Sequence, residues 1–370
     1  MSESQQEFIV DYPPNQRPAL VDSLAMTIKA LRDGDLHVSD NHRYMYSAIW
    51  QEWAEEIATF VPSAAQRNID YMRIQPGQPM IDCKPGSNRY AIFDTYKTVA
   101  YQNSIINKFA PAVHIPKQIS ASEFLDGRTI DGPFVFKDTE SNNGLNKFLI
   151  EDAAQEAKLR KFLQTSYPSE DGYRDLMLEA FIETPTAVST SYRYTMTPTG
   201  TILAASLLSA GNPANDRVDR KDTTPVFWPL IDRPDSPLYL GSRSITSNTA
   251  IGRTVVGLDF AERAMDLAPL NSAQGKLLEA HGISTTERTA PEEITRTARG
   301  IARSLGPSIG LVLGIDIVQQ AGSSTPYFLE ANSGPSNQNI NETIHADHKP
   351  ISPRELRSWG MSQTLEDLSR

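Results

Sequence analysis

Two acids placed to face each other are the first chemistry visible in this chain. The stretch GLVLGIDIVQQAGSSTPYFLEANSGPSNQ, which begins at Gly310, holds two β-like runs around a turn-rich segment at 321–325. Folding it about Ser323 sets Asp316 directly opposite Glu330, with Cβ atoms about 5 Å apart. Opposed like charges are unfavourable in an empty sheet, yet they are what a divalent cation wants. Asn332, two residues beyond Glu330, shares its strand face and adds a neutral oxygen. Three hard oxygen ligands with no histidine or cysteine among them suit Mg²⁺, which takes one or two carboxylates plus waters and substrate phosphates, so the metal implies a nucleotide. The same spacing also describes a solvent-facing acidic hairpin, because Asp and Glu are common on exposed strand faces.

The elements that must position these groups can be read upstream. Leu20, Leu24, Ile28 and Leu31, then Ile49, Trp50, Trp53, Ile57 and Phe60, give two helical stripes in a small N-terminal domain. A helix from Asp94 carries Lys97, Tyr101, Ile105 and Phe109 on one stripe, and Ser120 with Glu123 forms a capping box. Residues 134–137 and 146–150 read as strands around a polar loop at 138–144, followed by a charged helix over 152–164. Residues 176–182 form a strand, and 192–208 antiparallel sheet broken by a turn at 197–200. Residues 211–252 lack periodicity, and long loops of this kind are usually functional or disordered. A helix over 260–267 and another begun by a box at Thr289 and Glu292, with Ile294, Ala298, Ile301 and Leu305 on one face, precede the final strands at 309–318 and 327–331.

The hairpin is also where the chain resembles a known family. Asp316 followed by Glu330-Ala-Asn332 resembles the magnesium signature of ATP-grasp enzymes. Upstream, Lys97 and Phe134-Val-Phe-Lys137 resemble the positions of two nucleotide lysines, and 138–144 sits where the phosphate-covering loop belongs. Leu178-Glu-Ala-Phe-Ile182 resembles the adenine hinge. Tyr192-Arg193-Tyr194 and the segment from Ser247 to Arg253 resemble the glutathione-synthetase and ribosomal-protein glutamate-ligase branch. The resemblance covers roughly 94–339, and its specificity lies in the ordered set rather than in any single piece.

It implies an α+β ATP-grasp fold, with two α+β lobes clamping ATP and a small N-terminal α/β domain. The expected divisions are 1–93 for that domain, 94–210 for the linking helix and phosphate-loop lobe, and 211–370 for the lobe with the magnesium site. ATP and Mg²⁺, or Mn²⁺ in its place, are the implied cofactors, with Asp316, Glu330 and Asn332 as metal ligands. Lys97 and Lys137 would neutralise the triphosphate. Ser141, Asn142, Asn143 and Gly144 would cover it, although the loop carries a single glycine. Glu179, Ala180 and Ile182 would meet adenine through the backbone, with Glu183 at the ribose. Arg193 and Arg253 are placed for the transferred phosphoryl group, because guanidinium offers paired donors to phosphate oxygens.

The implied activity is ADP-forming ligation of a small-molecule carboxylate to an amine through an acyl phosphate. The alternatives are a kinase acting on a hydroxyl and a nucleotide-binding module without turnover. A homodimer is expected by family analogy. With 35 basic against 45 acidic residues the net charge is −10, so nucleic acid is a poor partner. The polar start and the lack of a long apolar run point away from a membrane and to the cytoplasm. Cys83 is the sole cysteine, which excludes an intrachain disulfide. His345 and His348 read as a polar tail rather than a metal cluster.

Overall fold

The computed structural model describes residues 110–138, 147–166, 176–210, 236–241, 253–260, 266–309, 312–333 and 338–345, and more sparsely positions from 102 to 107 and beyond 346. The N-terminal domain expected over 1–93, Lys97, and Ser141, Asn142, Asn143 and Gly144 lie outside the described residues. The described chain is α+β and rests on two antiparallel sheets.

The first sheet holds β1 (Gln118–Ser120), β2 (Phe134–Asp138), β3 (Lys147–Ile150) and β4 (Leu176–Ala180) in the order β1-β4-β2-β3. Between β1 and β2 lies the short helix α1 (Ala121–Leu125), opened by the expected capping box. The Glu123 N–H donates to Ser120 Oγ at 3.1 Å, and the Ser120 N–H donates to the Glu123 carboxylate at 2.9 Å. The helix α2 (Ala153–Ser166), between β3 and β4, buries Leu159, Phe162 and Leu163 on one stripe. They pack with Phe136, Phe148 and Leu178, and the Phe162 ring meets Phe136 edge-on. Part of the unpatterned segment docks here as well. Leu238 and Leu240 enter this core while Gln155 and Lys158 of α2 donate to the Leu240 and Tyr239 carbonyls.

The second sheet runs β7-β6-β5-β8-β9, from β5 (Thr190–Met196), β6 (Ile202–Ser209), β7 (Val255–Leu258), β8 (Leu313–Gln319) and β9 (Pro326–Ser333). It therefore draws strands from both sides of position 210. The β5–β6 turn needs Gly200, whose φ of 92° is a left-handed conformation that side chains disfavour. Two helices between β7 and β8, α3 (Ser272–Ala280) and α4 (Glu292–Ile309), cover one face. As the spacing predicts, Ile294, Ala298, Ile301 and Leu305 of α4 are wholly buried, against Tyr194, Ile315, Ile317 and Phe328. Each buried Ile or Leu there contributes about 1.5–3 kcal/mol. On the other face, Leu203 and Ala204 meet Val312, Leu356 and Ile340 of α5 (Gln338–Asn341), which covers the start of β6 there.

Three expectations need correction. The helix expected over 260–267 is not helical at its described ends: Asp259 bridges Thr289, Leu267 bridges Ile344, and residues 261–265 lie outside the described set. Val256, Leu258 and Phe260 all point into one core, a period of two that extends β7. The helix expected from the Thr289 box starts instead at Glu292, because the Thr289 backbone is engaged in that bridge and its hydroxyl donates to the Glu287 carbonyl. The strand expected from 309 starts at Leu313, since α4 runs through Ile309.

One buried polar cluster, which the sequence did not suggest, sits at the end of this core. His281 is 5% exposed, with Nε2 2.9 Å from Thr190 Oγ1 and Nδ1 3.1 Å from Tyr192 Oη and 3.2 Å from Gln319 Oε1. Burial lowers the His281 pKa below its ordinary 6.5, the Gln319 contact opposing it. The neutral ring is therefore the folded form. Its contribution to stability is complete above about pH 6.5 and is lost as pH falls from there through the lowered folded value, because the unfolded chain takes up the proton first. The expected result is a Tm that drops more steeply between pH 7 and 5 in the wild type than in His281→Gln. Equal slopes in the two proteins would refute the assignment.

No helix among the described residues is long and apolar enough to cross a membrane.

Candidate active site

The site is a row of side chains across the second sheet meeting a pair of lysines from the first. Antiparallel register runs Gly257, Ser206, Arg193, Asp316 and Glu330 across β7, β6, β5, β8 and β9, so the polar members share the face away from α4. Asp316 and Glu330 are direct partners. A β-bulge makes this so. Ile317 pairs with Phe328 while Asp316 pairs with Glu330, leaving Leu329 as the extra residue. Phe328 is fully buried in the α4 core, and in a regular strand Glu330, two residues on, would share its face; the bulge turns Glu330 to the side of Asp316. Asn332 follows on the same side, exposed, with its amide 3.4 Å from Glu330 Oε1.

Both carboxylates have cationic partners. Arg193 Nε and Nη2 donate to the two oxygens of Asp316, a paired contact between cross-strand neighbours. Lys147 Nζ lies 3.2 Å from Glu330 Oε2, a bridge between the two sheets. Lys147, followed by burial in the opposite sense and by Lys137 and Arg193, leaves the Glu330 carboxyl at about 2. Burial pushes Asp316 the other way, upward, against the pull of Arg193. Burial also works against the Lys147 ammonium, but Glu330, Asp316 and Glu179 together raise its pKa above the ordinary lysine value.

On the first sheet, Lys137 faces inward and its Nζ lies 2.7 Å from Glu179 Oε2, with both side chains almost fully buried. Glu179 also accepts from Gln118 Nε2 at 2.5 Å, and Gln118 Oε1 accepts from Asn103 Nδ2 at 2.6 Å. Asn103 is adjacent to Gln102, whose amide accepts from the Ala331 N–H at 2.9 Å and donates to the Ala331 carbonyl at 2.8 Å. Ala331 sits between Glu330 and Asn332 on β9, which ends its sheet. Two consecutive residues thus tie the Lys137–Glu179 pair to the strand that carries Glu330 and Asn332.

The residues expected at the adenine hinge are differently engaged from one another. The Ala180 N–H donates to the Lys117 carbonyl at 2.8 Å and is committed to the sheet. The Glu183 side chain is exposed, and its carbonyl accepts from the Ala321 N–H at 2.7 Å, pinning the hinge to the tip of the β8–β9 hairpin. Ile182 is half-buried beside it. Arg253 is held by Asn339 and Glu342, the latter at 3.3 Å, within electrostatic reach of Arg193 and Asp316. The structure thus brings Lys137, Arg193, Asp316, Glu330 and Asn332 together and sets Arg253 at their border. His345 and His348 pair with Asp347 and Asp266 on the surface.

Sequence reasoning missed Lys147, Gln118 and Gln102. A signal for Lys147 existed: the hairpin reasoning used for Asp316 and Glu330, applied to β2 and β3, opposes Lys137 to Lys147, and they are register partners. The donor set fits a hard divalent cation, since two carboxylates and an amide oxygen share one face. Among the described residues no group of three or more His, Cys, Asp or Glu is placed to hold a metal ion.

No protein-family model matches the chain, and neither does any curated protein. Among solved structures it is similar to the D-cycloserine synthetase DcsG, at 13% identity and a TM-score of 0.43, with 85% of this chain and 81% of that one covered. It is also similar to the ATP-grasp ligase PsnB, solved with a precursor variant, Mg and ADP, at 9% identity and 0.39, covering 89% and 75%. A third is the D-alanine-D-alanine ligase from Helicobacter pylori, at 14% identity and 0.35, covering 75% and 61%.

Proposed function

We propose that the chain is an ATP-grasp ligase that uses ATP and magnesium to activate a carboxylate and join it to an amine. The observation that carries this is the meeting of two like-charged pairs across the sheets. Lys137 and Lys147 are register partners on β2–β3, Asp316 and Glu330 on β8–β9, and a Lys147–Glu330 bridge links them. A metal triphosphate complements that pattern, its phosphates facing the lysines and its cation facing the acids. The ordered motifs of the sequence support the same reading.

Asp316, Glu330 and Asn332 would hold magnesium, which when bound withdraws charge from the phosphate oxygens. Lys137, oriented by Glu179, which Gln118 holds in turn, neutralises the phosphates from the other side. The substrate carboxylate oxygen attacks the γ-phosphorus, the bond to the β-phosphate oxygen breaks, and ADP leaves. The amine nitrogen then attacks the acyl carbon and loses a proton as inorganic phosphate departs. Arg193, positioned by Asp316, and Arg253 stabilise the charge that gathers on the transferred phosphoryl group. By resemblance alone, Lys97 and the loop of Ser141, Asn142, Asn143 and Gly144 would complete the phosphate site.

The test is incubation with ATP, Mg²⁺, hydroxylamine and a panel of small-molecule carboxylates. Carboxylate-dependent ADP release with a hydroxamate product is expected. ADP release that yields a phosphorylated hydroxyl and no hydroxamate would establish a kinase instead, and no ADP release with any acceptor would overturn the enzymatic reading.

A further inference from the structure

The two lysines of the β2–β3 hairpin are register partners but are held in different ways. Lys137 is buried and paired within its own sheet to Glu179, which Gln118 also supports. Lys147 keeps 22% of its side chain exposed and reaches out of its sheet to Glu330. The two acids differ in the same sense. Asp316 is locked to its cross-strand neighbour Arg193 by a paired contact, whereas Glu330 takes a single ammonium from a chain segment 183 residues away.

That ammonium occupies an oxygen the metal needs. A divalent ion on the Glu330 carboxylate would stand within a few ångströms of the Lys147 charge, and cations that close repel strongly in a partly dry site. Lys147 is free to yield, because its flexible four-carbon stem lets the head group swing without backbone movement. The neighbouring Lys137 position marks where it would go.

We propose that Lys147 is a displaceable counter-ion: it neutralises Glu330 while the site lacks nucleotide and moves to a phosphate oxygen beside Lys137 when metal and triphosphate bind. The inference rests on the nucleotide-and-metal reading above. Its consequence is synergy. Metal alone must expel Lys147 with no new partner for it, whereas metal arriving with a triphosphate offers the ammonium a better anion.

The experiment titrates Mn²⁺ alone, and then Mn²⁺ with β,γ-imido-ATP, into wild type, Lys147→Met and Lys147→Arg, reading free Mn²⁺ by electron paramagnetic resonance and nucleotide by calorimetry. Lys147→Met should bind Mn²⁺ alone about tenfold tighter, the competing charge being gone. It should bind the nucleotide complex roughly ten- to a hundredfold more weakly, having lost a charge-assisted contact. Lys147→Arg should stay near wild type in both, and circular dichroism checks that all three are folded. Affinities that fall together, or that do not move, in Lys147→Met would assign Lys147 a merely structural role and overturn the proposal. Failure of the wild type to bind the Mn²⁺–nucleotide complex at all would instead overturn the nucleotide-and-metal reading, and this inference with it.

Discussion

Glu330→Gln should lower turnover about a thousandfold while leaving the protein folded, because it removes a metal-facing charge that has to be present when charge develops on the transferred group. The substitution is close to isosteric and leaves the β8–β9 register and the Leu329 bulge undisturbed. The stability cost should be small. Glu330 is only half-buried, and its partner Lys147 keeps access to solvent, so the exposed-pair range of roughly 0–1 kcal/mol applies. Since Lys147 holds the Glu330 carboxyl at about 2, the wild type stays ionised there through the working pH range, and the loss in the variant should not be recovered by raising the pH. ADP release over pH 6–9, with thermal melting as the control, checks this. A variant that keeps a tenth of wild-type activity would remove Glu330 from the site.

The largest stability effect is expected at Glu179, not at the acids. Glu179→Leu strands the buried Lys137 ammonium and leaves Gln118 Nε2 without the carboxylate it donates to. Breaking a buried ion pair by removing one partner costs about 3–5 kcal/mol. In a protein this size the Tm should fall on the order of 10 °C. Lys137→Met combined with Glu179→Leu should recover most of that loss, since a buried pair replaced by apolar groups is often neutral in stability. The double variant should nevertheless be inactive, because the phosphate-facing cation is gone. Calorimetry and ADP release on the single and double variants separate the two roles. An active double variant would show that the Lys137–Glu179 pair only supports the fold.

Much of the site was legible in advance because hairpin geometry is local. Folding about Ser323 correctly opposes Asp316 to Glu330, yet uniform pairing would also set Ile317 against Leu329, and the structure sets it against Phe328. The bulge is where packing of Phe328 into the α4 core overrides regular register. The helical face of Ile294, Ala298, Ile301 and Leu305 was equally visible, since a stripe of period 3.6 needs no knowledge of its partner. The ends of 260–267 were not legible for the converse reason: a short apolar run fits either period, and bridges formed near Phe260, by Asp259 with Thr289, and at Leu267 with Ile344, take those ends out of a helix. Arg193 was expected from the resemblance to meet the transferred phosphoryl group. Its pairing with Asp316 was not legible, because strands β5 and β8 are distant in sequence.

By itself, then, the amino-acid order determined the α+β texture, the opposed acids and the lysine strand, all set by contacts between near neighbours along the chain. Tertiary structure alone decided that Lys147 meets Glu330, that Glu179 buries Lys137, and that Gln102 and Asn103 join the two sheets. Each of those depends on which surfaces pack together across long loops, and chain entropy lets no local pattern dictate that choice.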